Sequence, residues 1–93
     1  MARKASKVQV TITDIQGRGR CSQGFKKGDT WLIEKSIAPT NFCLTALGTI
    51  FPVIQTMRYG GQHPWDQGDV THTCCPDIHD GPVIFEIRRL PPA

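Results

Sequence analysis

A chain of 93 residues with 39% hydrophobic and 20% charged side chains has the make-up of one globular domain, 1–93, and no apolar run in it approaches the roughly 18 residues that a membrane helix needs. So short a chain buries only about 60–65% of the surface its unfolded form exposes, so the expected core is thin and a second copy or a staple would strengthen it. The net charge of +3 is uneven: residues 1–28 carry seven basic side chains against Asp14 alone, and residues 29–93 carry four against seven acidic ones, so the basic front is either a solvated tail and loop or a lure for an anionic partner.

The first residues, 1–6, form a short basic tail, and the residues after it alternate in polarity where an export signal would be continuously apolar. KVQVTITDI places Val8, Val10 and Ile12 on one face, the period of a half-buried strand. QGRGRCSQGFKKGD is too rich in glycine and charge to be anything but a loop, with Gly28-Asp29 turning the chain into a second strand, TWLIEKS. In APTNFCLTALGTIFPVIQTMRYGG the period changes. Cys43, Leu47, Ile50, Ile54 and Met57 make the seam of an amphipathic helix, widened by Leu44 and Phe51, capped by Thr40 or Asn41 and ended by Gly60. Pro52 predicts a kink or a break there. DVTHTCC and VIFEIRRL read as two more strands, the last with Val83, Phe85 and Ile87 inward, joined by the turn PDIHDGP. The order β-β-α-β-β is simplest as an α+β fold, one kinked helix across a mostly antiparallel four-stranded sheet.

The chemistry-bearing residues are the four cysteines. Without an export signal they belong to a reducing cytoplasm and to packing, metal or redox use before disulfides. Their positions, 21, 43, 74 and 75, contain no C-x2-C pair and match no finger or ferredoxin spacing, so a metal site would have to be assembled by the fold. Adjacent Cys74 and Cys75 in a strand point to opposite faces; Cys75, at the strand end, is the one expected to be functional, and Cys74 to pack. Cys43, in the first helical turn, lies where unpaired amides favour a thiolate, and it also lies on the apolar stripe of a core cysteine. Cys21, among Arg20, Lys26 and Lys27, is expected to be the most accessible.

The loop GRGRCSQG lacks the G-K-[ST] of a phosphate loop. Phe25, Trp31, Tyr59 and Trp65 could stack on bases, but most are equally explicable as core, which disfavours a nucleic-acid partner without excluding it. His63, His72 and His79 lie in or beside turns or strand ends, as ligands, acid–base groups or solvated side chains. No Ser-His-Asp or H-E-x-x-H arrangement is present, which disfavours the common hydrolase chemistries.

Taken together, CSQGFKKGD, CLTAL, MRYGGQHPW and CCPD, with the closing VIFEIRR, resemble a family of small bacterial and archaeal proteins of about this length that carries no assigned activity. The resemblance covers nearly the whole chain from the first strand onward. Its pattern cysteines fall on Cys21, Cys43 and Cys75, leaving Cys74 as the extra one, and Asp29, Arg58, Tyr59, Gly60, Gly61, Trp65 and Asp77 fall on its other motif positions. Phe25 stands where relatives tend to have histidine, which weakens a ligand role for the loop.

Three functions fit these residues. In the first, Cys21, Cys43 and Cys75 converge near the helix N-terminus as a site that binds zinc or iron or performs thiol redox chemistry, with Cys43 and Cys75 as reactive thiols. Asp29, Arg58, Tyr59, Trp65 and Asp77 are then binding residues: Trp65 covers the site, and Arg58 either satisfies terminal helix carbonyls or presents a fixed cation to an anion. In the second, the domain is a non-catalytic module that binds an acidic protein or nucleic acid through its basic front. In the third it is an accessory subunit whose thiols are only core. With any of the three the chain could also form a homo-oligomer.

Overall fold

The computed structural model describes residues 5–91. Arg3 and Lys4 of the basic tail lie outside them. The elements run β1 (Val8–Ile15), β2 (Thr30–Ile33), α1 (Leu44–Arg58), β3 (Val70–Cys74) and β4 (Val83–Arg89), the β-β-α-β-β order of an α+β domain. The sheet order is β2-β1-β4-β3 and every neighbouring pair is antiparallel.

Alternation in β1 and β4 builds the floor of the core: Val8, Val10 and Ile12 on one strand face Arg89, Ile87 and Phe85 on the other. The register shifts between Ile12 and Asp14. Because one extra residue exchanges the two faces of a strand, this bulge leaves Asp14 in solvent and turns Ile15 to the core. Across this face lies α1, contributing Ala46, Ile50, Ile54 and Met57, while Ile33, Cys75 and Val83 close the edges. Each of the valine, isoleucine, phenylalanine and methionine side chains among these, fully buried, contributes about 1.5–3 kcal/mol.

Two expectations about the helix need correcting. Leu44 and Phe51 are exposed, at 83% and 51%, and Ala46 is buried, because a helix lying on a single sheet covers only the arc that faces it, here centred on Ile50. Neither Thr40 nor Asn41 caps the helix: the N-cap is Cys43, without a side-chain cap hydrogen bond. Of the kink or break expected at Pro52, the break does not occur: α1 runs on through it as one helix. The C-terminus is as expected from Gly60-Gly61. Gly60 has φ +81°, and the Gly61 amide donates to the Thr56 carbonyl (2.8 Å), the long-reach bond of a Schellman ending.

Arg89 fixes that end to the sheet. Its Nη1 donates to the carbonyls of Met57 (3.1 Å) and Gly61 (2.9 Å), and its Nε to Asp69 (3.1 Å). The first of the two roles expected of Arg58, satisfying terminal helix carbonyls, is thus filled at Met57 and Gly61 by Arg89. At the opposite end Trp31 packs edge-on against Phe25 and Phe42, at 5.5 and 4.6 Å between centroids, and donates Nε1–H to the Asn41 carbonyl. This aromatic cluster holds the segment leading into Cys43 against the sheet.

Candidate functional site

Two loops and one helix terminus meet beside the Trp31 cluster. The β1–β2 loop and the β3–β4 loop are joined by main-chain bonds from Gln16 to Pro82 (2.9 Å) and from Arg18 to Asp80 (3.1 Å), and Arg18 and Arg20 reach the Asp80 carboxylate at 3.8 and 3.2 Å. Gly17 sits at this junction with φ +64°, and a Cβ there would strike the Gly81 carbonyl. So close an approach of two backbones admits only glycine.

This clamp sets Cys21 opposite Cys75, and the helix N-cap brings Cys43 alongside. The three cysteines line one small cavity of about 20 Å³, walled otherwise by Ile12, Phe25, Ala46, Val83 and Phe85. Above it opens a cleft of about 380 Å³ that the same three cysteines share with Asp77, His79 and Asp80. The inner cavity has room for about one water but is walled mostly by carbon and sulfur, so it suits a soft or apolar group better than a hydrogen-bonding one.

The cysteines differ in access, and not in the expected order. Cys74 is exposed, Cys21 and Cys43 are partly exposed, and Cys75 is buried. So Cys21 is not the most accessible, Cys74 does not pack in the core, and the strand end does not expose Cys75. The reason is pairing: Cys75 lies just past β3 on the face of the buried Thr71, its N–H donates to the Val83 carbonyl (3.1 Å), and the Val83 N–H donates back to its Sγ (3.3 Å). Alternation then sends Cys74 out to solvent with His72.

Asp77 stands on the cleft wall. Its Oδ1 accepts from the His79 (2.8 Å) and Asp80 (3.2 Å) amides, and these bonds, His79 first, hold the carboxyl below the usual carboxylate range. Asp29 serves a turn: its Oδ2 accepts from the Lys26 amide (2.8 Å), setting the entry to β2. Trp65 does not cover the cysteines; 74% exposed, it stacks on His63, which in turn pairs with Asp66. His79 is the one histidine on the cleft. Phe25 and Trp31 are taken up by the aromatic cluster, leaving Tyr59 and Trp65 as the exposed rings among the four proposed for base stacking.

Arg58 and Tyr59 lie elsewhere, toward the C-terminal half of α1. Arg58 is 4% exposed, and the Tyr59 ring lies under its guanidinium at 5.0 Å. The Tyr59 phenol is held below its ordinary range, first by a hydrogen bond with Ser36 and next by the Arg58 charge. Of the basic front, Lys7 pairs with Glu34 and Arg18 and Arg20 with Asp80, so Lys26 and Lys27 are its described members without an ion pair among the described residues. Asp80, which anchors the clamp, was missed by sequence reasoning, which saw only a turn in HDG.

Among the described residues no three His, Cys, Asp or Glu side chains are grouped closely enough to hold a metal ion, and no helix is long and apolar enough to cross a membrane. Compared with family models, with curated proteins and with solved structures, the chain returns no match in any of the three.

Proposed function

We propose that Cys21, Cys43 and Cys75 form a thiol site that works by redox chemistry, with the cleft as its entrance. One observation carries the reading: cysteines from the loop after β1, the helix N-cap and the end of β3 line a single cavity. In the reaction, Cys21 and Cys43 each give up a proton and one electron as their sulfurs join. The two electrons pass to a disulfide or other two-electron acceptor admitted by the cleft, and Cys75 remains as the buried third thiol. Zinc or iron is the other occupant these thiols suit, but a tetrahedral thiolate site, with Zn–S of about 2.3 Å, requires the three to draw together from where they stand.

The motif resemblance belongs with this proposal, since it names the same three cysteines. Four unpaired thiols fit a reducing cytoplasm. A module that binds an acidic protein or nucleic acid through its basic front has less behind it, because three of that front's side chains are already paired within the fold.

The test is elemental analysis and native alkylation of protein purified without chelator or affinity metal, followed by diamide oxidation and peptide mapping. The expected result is no stoichiometric metal and one internal disulfide between Cys21 and Cys43 that Cys43→Ser abolishes. Close to one zinc or iron per chain with protected thiols would move the site to metal binding. Labelling of every thiol at the rate of a free peptide would sink both.

A further inference from the structure

Arg58 lies buried on the flank of α1, only 4% exposed, and the described residues offer it no carboxylate. Its acceptors are all neutral: Nη1 donates to Gln55 Oε1 (2.7 Å) and to the Tyr59 hydroxyl (3.4 Å), and Nη2 to Ser36 Oγ (3.0 Å). Nε, buried as well, has no partner among the described residues. Nor is the side chain spent on the helix terminus, because Arg89 occupies the Met57 and Gly61 carbonyls. A buried guanidinium without an anion is costly to keep, so such a group is expected to face one at least part of the time.

Beside it opens a pocket of about 210 Å³ between α1 and the segment that follows β2. Its walls are Ile33, Ile37, Leu47, Phe51 and Ile54, with Ser36 and Arg58 at the polar end and Lys35 also lining it. Ile37 and Phe51 are 72% and 51% exposed, so the pocket presents apolar surface that an occupant would cover. An apolar cavity of about 150 Å³ accepts benzene, so this one has room for a ring or short chain with a charged head.

We propose that this pocket binds a small carboxylate with an apolar body, its two oxygens received by the Nε and Nη2 edge of Arg58. That edge is the one a carboxylate meets side-on with two parallel hydrogen bonds, and only the Ser36 hydroxyl stands on it. Ser36 is exposed and belongs to a connection without regular structure, so it yields the edge without disturbing the sheet. Lys35 favours the same charge. The site is independent of the thiol reading and shares no lining residue with the cysteine cleft.

The experiment is a titration of the full, isotope-labelled chain with phenylacetate, followed by NMR at the amides of Ile37, Leu47 and Phe51 and at the Arg58 Nε–H, with neutral phenylacetamide as the matched control. Phenylacetate is expected to give saturable shifts at these positions and to bind at least about tenfold tighter than the amide, the effect of a charge-assisted hydrogen bond. Ser36→Ala, a surface change, is expected to tighten binding by about twofold to threefold by removing the competing hydroxyl; Arg58→Gln is expected to erase the preference for acid over amide. The proposal is overturned if no saturable shift appears up to about 10 mM, if acid and amide bind equally, if Ser36→Ala weakens binding, or if the shifts gather at Lys26 and Lys27 instead.

Discussion

The two ends of α1 show how one helix can serve two unlike environments. At its N-terminus two loops clamp together and place three cysteines around a cavity that one water would fill. Toward its C-terminus a larger apolar pocket ends in a guanidinium without a counter-charge among the described residues. The first end is held by backbone-to-backbone contact and ion pairs of the loops, the second by arginine side chains: Arg89 ties the helix to β4, and that frees Arg58. What differs is which groups the fold leaves unused, thiols at one end and a cation at the other.

The largest effect is one in which both ends of α1 fail together. Ile50→Ala, at a fully buried position between them, is expected to cost about 2–5 kcal/mol and to expose Cys75 and the Arg58 pocket in one transition; denaturant melts monitored by thiol labelling and by Tyr59 environment check that the midpoints coincide. A more selective blow is Gly17→Ala, which puts a Cβ into the Gly81 carbonyl at a positive φ and is expected to cost about 2–3 kcal/mol. Alkylation of Cys75 should then accelerate while hydrogen exchange at the Arg58 end stays unchanged; acceleration at both ends would show that the clamp is not local.

At the other end Gly60→Ala strains a left-handed helix ending, and about 1–2 kcal/mol is expected, read from the thermal midpoint, with no change in Cys75 labelling. The smallest effect concerns Asp77. Because folding lowers its pKa, its carboxylate stabilises the β3–β4 loop above the unfolded value near 3.8, and that contribution disappears as pH falls through the lower folded value. Exchange of the His79 and Asp80 amides is expected to rise in that acidic window, and Asp77→Asn should flatten the pH dependence there; an unaltered profile would refute the assignment.

Much of the fold was legible because it depends on local rules. Val8, Val10 and Ile12 announce a strand with one buried face, and Gly60-Gly61 announces a helix ending, since only glycine takes that backbone at no cost. The helical stripe was legible in period and along Ile50, Ile54 and Met57, but not in width: Leu44 and Phe51 are exposed and Ala46, outside the expected seam, is buried, because which arc is covered depends on where the sheet lies. The access of the cysteines was misjudged for a similar reason. Position at a strand end suggested exposure for Cys75, while its pairing with Val83 buries it and leaves Cys74 outside.

Element order, the inward faces of β1 and β4, and the glycine turns could all be read from the amino-acid order. They rest on periodicity, backbone sterics and motif composition, which act over a few neighbouring residues. It took the folded packing to show that Asp80 draws both arginines of the first loop to itself, that Arg89 and not Arg58 secures the helix end, and that Arg58 faces an apolar pocket. Each of these is a competition between distant side chains for the same partner, and its outcome is set by the packing that brings them within reach.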